Sequence, residues 1–139
     1  MKDDNVEVIP YKGVGNIRLG ALRSELRILY PNFKEFRKSS FDENTTDAYS
    51  DFHIYYDKHN YCEAIELFGS AKISFMKERL LGVTFAKIKD FFFGIDRDIE
   101  ISDSGLTSYK FGIGIYVPSI KDESNLVEGV ILFREGYYD

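Results

Sequence analysis

Glu63-Ala64-Ile65-Glu66-Leu67-Phe68 is echoed in the second half of the chain by Glu128-Gly129-Val130-Ile131-Leu132-Phe133. The first copy alternates, with Ile65 and Leu67 on one face and Glu66 on the other, the period of a half-buried strand. The second, read from Val127 to Phe133, is almost wholly apolar, which places it centrally in a sheet with both faces covered. Working outward, Ile54-Tyr55 is matched by Ile115-Tyr116, and Leu19-Gly20 by Leu81-Gly82. Three landmarks in one order at nearly one offset imply a duplicated unit. The expected fold is α+β: two helix-plus-antiparallel-strands units related by pseudo-twofold symmetry and packed as a single domain over 1–139, with units at about 6–75 and 76–139.

The elements of each unit follow from local pattern. Val6 to Ile9 is a short strand closed by Pro10, and Gly13-Val14-Gly15-Asn16 a turn. Leu22, Leu26, Leu29 and Tyr30 recur at helical spacing, so 21–30 reads as a three-turn helix. Pro31 ends it, because it lacks an N–H and its ring crowds the preceding turn. The polar stretch 39–50 reads as a loop or hairpin tip. Phe52, Ile54 and Tyr56 alternate with His53 and Tyr55. Asp57-Lys58-His59-Asn60 is turn chemistry, and 61–68 returns as the second strand of a hairpin. Residues 72–75 form a third strand.

In the second unit Thr84 is a helix cap, Phe85, Ile88 and Phe92 are the apolar stripe, and Gly94 falls where a left-handed terminal residue would sit. Residues 99–102 form a strand and Asp103-Ser104-Gly105 a turn. Residues 109–117 read as one long strand with Gly112 and Gly114 on the same face, which lets another element approach closely. Asp122 to Asn125 turns the chain.

Composition narrows the function. The 139 residues include twelve Phe and ten Tyr, more aromatic surface than a core alone requires, and no Trp. The net charge of −5 argues against nucleic acid as partner, since gripping phosphates takes a basic field. That charge is unevenly spread. Residues 12–38 carry seven basic and two acidic side chains, whereas 39–51 carry Asp42, Glu43, Asp47 and Asp51 with no base. Cys62 is a lone cysteine, which fits a reducing compartment. No run approaches ~20 apolar residues, and the acidic start lacks a signal peptide's apolar stretch. A cytoplasmic protein is expected.

No catalytic constellation emerges. His53 and His59 flank a turn and lack the further ligands that a zinc site needs. Cys62 lies near His59 but opens a strand, with no helix N-terminus to lower its pKa. Neither Gly13-Val14-Gly15 nor Gly112-Ile113-Gly114 has the context of a phosphate loop. The acidic run Asp96-Arg97-Asp98-Ile99-Glu100 lacks the central glycine and the terminal Glu of a calcium loop. The reading is a protein with no enzyme activity, cofactor or metal.

Gly15-Asn16-Ile17-Arg18-Leu19-Gly20, followed by Glu25-Leu26, resembles the G-x-I-x-L-G-M-[ST]-x-x-E-[VL] opening of many small bacterial αβ modules. It departs from that pattern at Ala21 and Leu22, where the pattern has Met and a capping Ser or Thr. A later block runs from Asp103-Ser104-Gly105 through Gly112-Ile113-Gly114-Ile115-Tyr116-Val117-Pro118 to Glu128-Gly129-Val130-Ile131-Leu132-Phe133 and Glu135-Gly136-Tyr137-Tyr138-Asp139. It is similar to small bacterial immunity proteins of polymorphic or contact-dependent growth-inhibition toxin systems. The resemblance implies a non-enzymatic cytoplasmic protein that binds one toxin domain, often a nuclease, and blocks its active site.

A phosphate-gripping toxin is basic, and acidic loops speed association with it, while exposed tyrosines supply anchors. The candidate contact surface is therefore Asp42, Glu43, Asp47 and Asp51, with Asp122 and Glu123, and Tyr55 on the solvent face of the first hairpin. The alternatives are a small-ligand module or a single-stranded nucleic-acid binder using 12–38 with Tyr30, Phe33 and Phe36 as stacking rings.

Overall fold

A computed structural model describes residues 5–138 and shows a mixed, mostly β, α+β protein. The acidic start at 1–4 and the terminal Asp139 lie outside the described residues. The chain opens with three short strands, β1 (Val6–Ile9), β2 (Gly13–Val14) and β3 (Ile17–Arg18), then α1 (Arg23–Leu29). Four strands follow: β4 (Lys34–Phe36), β5 (Thr46–Ala48), β6 (Phe52–Tyr56) and β7 (Cys62–Phe68). The second half begins with β8 (Ile73–Phe75) and β9 (Glu78–Arg79), then α2 (Phe85–Phe93). It also ends in four strands: β10 (Glu100–Ser102), β11 (Gly105–Ser108), β12 (Ile113–Tyr116) and β13 (Gly129–Phe133).

Among the described residues the strands form two sheets. The larger has eight in the order β10-β11-β12-β13-β7-β6-β5-β4, all neighbours antiparallel. The smaller has five in the order β3-β2-β1-β8-β9, with β1 and β8 parallel. In each half, therefore, short leading strands feed a helix, and the helix feeds an antiparallel meander. The meanders meet at β7 and β13, where Glu66 lies opposite Ile131.

Alternation fixes which face of the large sheet is buried. Ile54 and Phe52 lie opposite Ile65 and Leu67, which lie opposite Leu132 and Val130, which in turn face Ile113 and Ile115. These apolar side chains share one core with Leu26 of α1, with Phe85, Ile88 and Phe92 of α2, and with Val8, Ile73 and Phe75 of the small sheet. The other face carries a row that crosses all eight strands: Lys34, Ala48, His53, Glu66, Ile131, Gly114, Thr107 and Glu100. Most of that row is polar or small, and it forms the outer face.

The helices enter alike. The N–H of Gly20 donates to the Cys62 carbonyl (2.8 Å) and that of Arg23 to the Asn60 carbonyl (2.9 Å). Gly82 donates to Val127 (3.0 Å) and Phe85 to Asn125 (2.9 Å). The caps differ. Lys87 N–H donates to Thr84 Oγ1 (3.3 Å), as expected. Leu22 precedes α1 with no side-chain cap. Without a cap, and with Pro31 just beyond, α1 spans seven residues rather than the three turns expected.

Several expectations are corrected. Residues 109–117 are not one strand. The chain turns at Tyr109–Gly112, where Gly112 has φ +68° and its N–H donates to Ser108 O (2.9 Å), so Gly112 and Gly114 do not share a strand face. Gly94 ends α2 in right-handed conformation, φ −73°, and needs no glycine-specific backbone. The stretch 39–50 is not all loop, because β5 lies within it and pairs with β4. The strand expected at 72–75 is present as β8, and it lies in the small sheet. His53 does not flank a turn; it stands mid-strand against the rings of Phe36 and Phe68.

Candidate functional site

The outer face holds a groove of about 620 Å³. Its floor is Tyr55, Glu66 and Ile131, its rim the 38–45 stretch of the β4–β5 connection, and its far wall Tyr137 from the C-terminal segment. Each part has a local cause. Tyr55 and Glu66 face outward by strand alternation, and the Tyr55 hydroxyl donates to Glu66 Oε1 (2.8 Å). The β6–β7 register slips between Tyr55 and Tyr56, so Ala64 and Cys62 take the pairing and Glu63 is the extra residue. Such a bulge re-aims a side chain, and Glu63 lines the groove beside Glu66. Tyr137 is held by stacking on Phe133 at 5.9 Å, and Tyr138 meets the same ring edge-on, so the terminal tyrosines pack against the body.

The connection that forms the rim is shaped by its own hydrogen bonds. Ser39 N–H donates to Asp42 Oδ2 (2.8 Å), and the Arg37 guanidinium donates to the Asp42 carbonyl. Lys38 Nζ sits 5.3 Å from the centre of the Tyr55 ring, a cation–π distance. Phe41, at 94% exposure, stands out from the rim.

Carboxylates outnumber cations here. Among the described residues, Asp42, Glu43, Asp57, Glu63 and Glu66 line the groove, with Lys38 as the cation among them. Behind the wall, Arg134 pairs with Asp57 (2.9 Å) and lies 3.9 Å from Glu63. Burial pushes the Glu63 carboxyl above its ordinary value against the pull of Arg134, and the charges of Asp57 and Glu43 push it further. Burial and the Glu66 charge hold the Tyr55 hydroxyl firmly protonated, and Tyr137 is pushed up to about 12, chiefly by burial and then by Glu63. Burial pulls His53 below its ordinary value, against Glu66 and with Lys38. The groove is an acidic, tyrosine-lined receptacle. A second, smaller concavity of about 150 Å³ adjoins it through Glu66 and Ile131, floored by Gly114 and Gly129 beside Tyr116.

The expected contact residues separate into three sets. Asp42, Glu43 and Tyr55 come together in the groove. Asp122 and Glu123 lie outside its lining, on the β12–β13 connection beside the start of α2, where Glu123 pairs with Lys89 (2.9 Å) and Asp122 accepts from Ser124 N–H (3.0 Å). Asp47 and Asp51 are buried, at 0% and 4% exposure, so the acidic run does not form one solvated surface. Asp47 sits on the core side of β5. There it accepts from Arg23 (2.8 Å) and, through both oxygens, from Arg27 (2.7 and 2.8 Å). Burial opposes its charge, but the hydrogen bonds from Arg27 and Arg23 win and hold its carboxyl below the ordinary range.

Glu63, Glu66, Asp57, Lys38 and Tyr137 line the groove as well and lie outside the expected contact set. The outward position of Glu66 was readable from alternation, whereas the bulge at Glu63 and the fold-back of Tyr137 leave no mark in residue spacing.

Cys62 is fully buried, and burial pushes its thiol up to about 12. Among the described residues no group of three or more His, Cys, Asp or Glu is placed to hold a metal ion, and no helix is long and apolar enough to cross a membrane. No protein-family model matches the chain, and no curated protein or solved structure matches it either.

Proposed function

We propose that this protein is a cytoplasmic, non-catalytic immunity protein that binds and neutralises a basic toxin domain, such as a nuclease, through the outer face of its large sheet. The observation that carries the reading is the groove, where carboxylates and the rings of Tyr55 and Tyr137 converge with an exposed Phe41 beside them. Acidic rims raise association rates with basic partners, and tyrosine and phenylalanine anchors slow their release.

We also infer that the chain is a duplicated unit with a pseudo-twofold axis between β7 and β13. Three features support this. Glu66 and Ile131 hold matching places in the two sequence copies and face each other, so equivalent positions pair at the seam. The helices enter through matching hydrogen bonds to Asn60 and Asn125. Isolated bridges join Leu22 to Tyr61 and Thr84 to Leu126.

The test is co-expression with any toxin domain found encoded beside this gene. Host survival with the wild type, lost in a folded Glu43→Lys/Glu63→Lys variant, supports function and surface together. Protection unaffected by the variant removes the surface assignment, and no protection by the wild type removes the function. A small-ligand reading draws on the groove's volume, which lies in the range of ligand pockets. Saturable binding of a cationic metabolite without any toxin protection would favour it.

A further inference from the structure

We propose that the groove is a receptor for an arginine side chain of the partner, and that Lys38 of the β4–β5 connection occupies that place in the unbound protein. The inference rests on the reading of this face as the contact surface and names what the surface recognises. The first observation is that a cation is already seated here: Lys38 Nζ lies over the Tyr55 ring at 5.3 Å, on a tyrosine whose hydroxyl is committed to Glu66. The second is charge. Among the described residues the lining carries five carboxylates; Arg134, behind the wall, pairs with Asp57 and lies 3.9 Å from Glu63, which leaves Asp42, Glu43 and Glu66 to set against this ammonium. The seat is therefore under-compensated even when Lys38 fills it.

Chemistry favours guanidinium over ammonium as the incoming group. A guanidinium is planar, stacks on an aromatic ring and donates in a fork that matches carboxylates. The floor offers the Tyr55 ring with Glu66 bound to its edge, and Glu63 comes in from the bulge. A lysine makes only a point contact with such a site. When the partner's arginine takes the place of Lys38, Phe41, exposed on the same connection, is placed to pack against the same partner. An anionic ligand, including a nucleic-acid backbone, meets the carboxylates and is disfavoured.

The probe is N-acetyl-arginine amide, titrated into full-length wild type, Lys38→Met, Lys38→Arg and Glu66→Gln while NMR signals of the groove tyrosines are followed. Removing the seated cation is expected to tighten binding about two- to fivefold, the equivalent of one exposed cation–π contact. Lys38→Arg is expected to bind the probe no better than wild type, and Glu66→Gln more weakly. N-acetyl-glutamate amide is expected to leave the groove signals unmoved. Lys38→Met binding no tighter than wild type, or Glu66→Gln binding equally well, overturns the proposal. The outcome is separable from that of the proposed function. Wild-type protection with no gain in Lys38→Met removes the arginine seat alone, and a gain in Lys38→Met without protection removes the immunity role alone.

Discussion

The two helices occupy like positions in their halves and are docked by opposite means. α2 presents Phe85, Ile88 and Phe92, all buried, and continues the core through Phe75, whose ring lies 6.4 Å from that of Phe92. α1 buries just one apolar side chain of its own, Leu26, and a charged one, Arg23. What holds α1 is Asp47, gripped by Arg23 and Arg27, with Asn44, Asn60 and Thr45 taking further guanidinium hydrogens. In the second half, Ser108 donates to Asp96 (2.7 Å) in a buried pair with no guanidinium in it. A short helix with one apolar contact is held by directional bonds, and a longer one with three is held by area. The first kind is sensitive to charge state, the second to volume.

That contrast can be broken from either side. Asp47→Ala strands Arg23 in the core and is expected to cost about 3–5 kcal/mol, as much as the ~3–5 kcal/mol of Phe92→Ala, both read by denaturant unfolding. The rescue differs. Arg23→Met with Asp47→Leu is expected to return most of that stability, because an apolar pair of similar volume often equals a buried ion pair. A paired replacement that stays as unstable as Asp47→Ala alone would show that the network's other bonds, not its charge, seat α1.

On the outer face of the second half, Gly114→Val tests how closely β12 packs against β13. A Cβ at Gly114 would lie 2.6 Å from Ile131 Cγ2, and about 1–3 kcal/mol of overpacking is expected, relieved by Ile131→Ala in the same chain. No such relief would place the strain elsewhere.

Acid sharpens the comparison. The Asp47 carboxyl is held below its ordinary 3.8 in the folded protein. Its contribution is complete above the unfolded value and is lost as pH falls through the folded one. Stability is therefore expected to drop on acidification in wild type, and to drop less in the Arg23→Met/Asp47→Leu variant. Equal acid sensitivity of the two would assign the effect to other carboxylates. The smallest expected effects are at the caps. Thr84→Ala is expected to cost about 1 kcal/mol, and Leu22→Ser to add about 0.5–1 kcal/mol by giving α1 the hydroxyl that α2 already has. A neutral Leu22→Ser would mean that the Glu25 N–H, already bonded to the Leu22 carbonyl (3.0 Å), has no need of a side-chain acceptor.

Legibility followed the same divide. The β6–β7 hairpin, the central β13, the stripe of α2 and its Thr84 cap were readable, because each is written in nearest-neighbour spacing and apolar period. Lys34-Glu35-Phe36 and Thr46-Asp47-Ala48 do not read as strands. Each is too short to show a period, and Asp47 is polar on the very face that alternation expects to be apolar. Its partners Arg23 and Arg27 stand well back in the chain on α1, so a residue destined for the core carries the same signature as a solvated one. The misjoined strand at 109–117 has a local reason: the turn there is made by Gly112 at positive φ, and the flanking Phe111 and Ile113 still alternate like a strand. For the groove, Tyr55 was legible by its face and Asp42 and Glu43 by their charge. Their convergence with Glu63 and Tyr137 depends on a bulge and on where the C-terminal segment folds.

The seams between the halves also bear on how the chain reaches this state. β1 closes the small sheet only by pairing with β8, and β7 gains its second neighbour only when β13 arrives, after nearly all of the second half has been synthesised. Until then a seven-residue strand carrying Ile65 and Leu67 stands at an open edge, the geometry most prone to pairing with another nascent chain. Docking of β13 is thus a late, long-range step that slows folding. The interval before it is when this protein is most exposed to aggregation, and a chaperone that shields the β7 edge would act in that window.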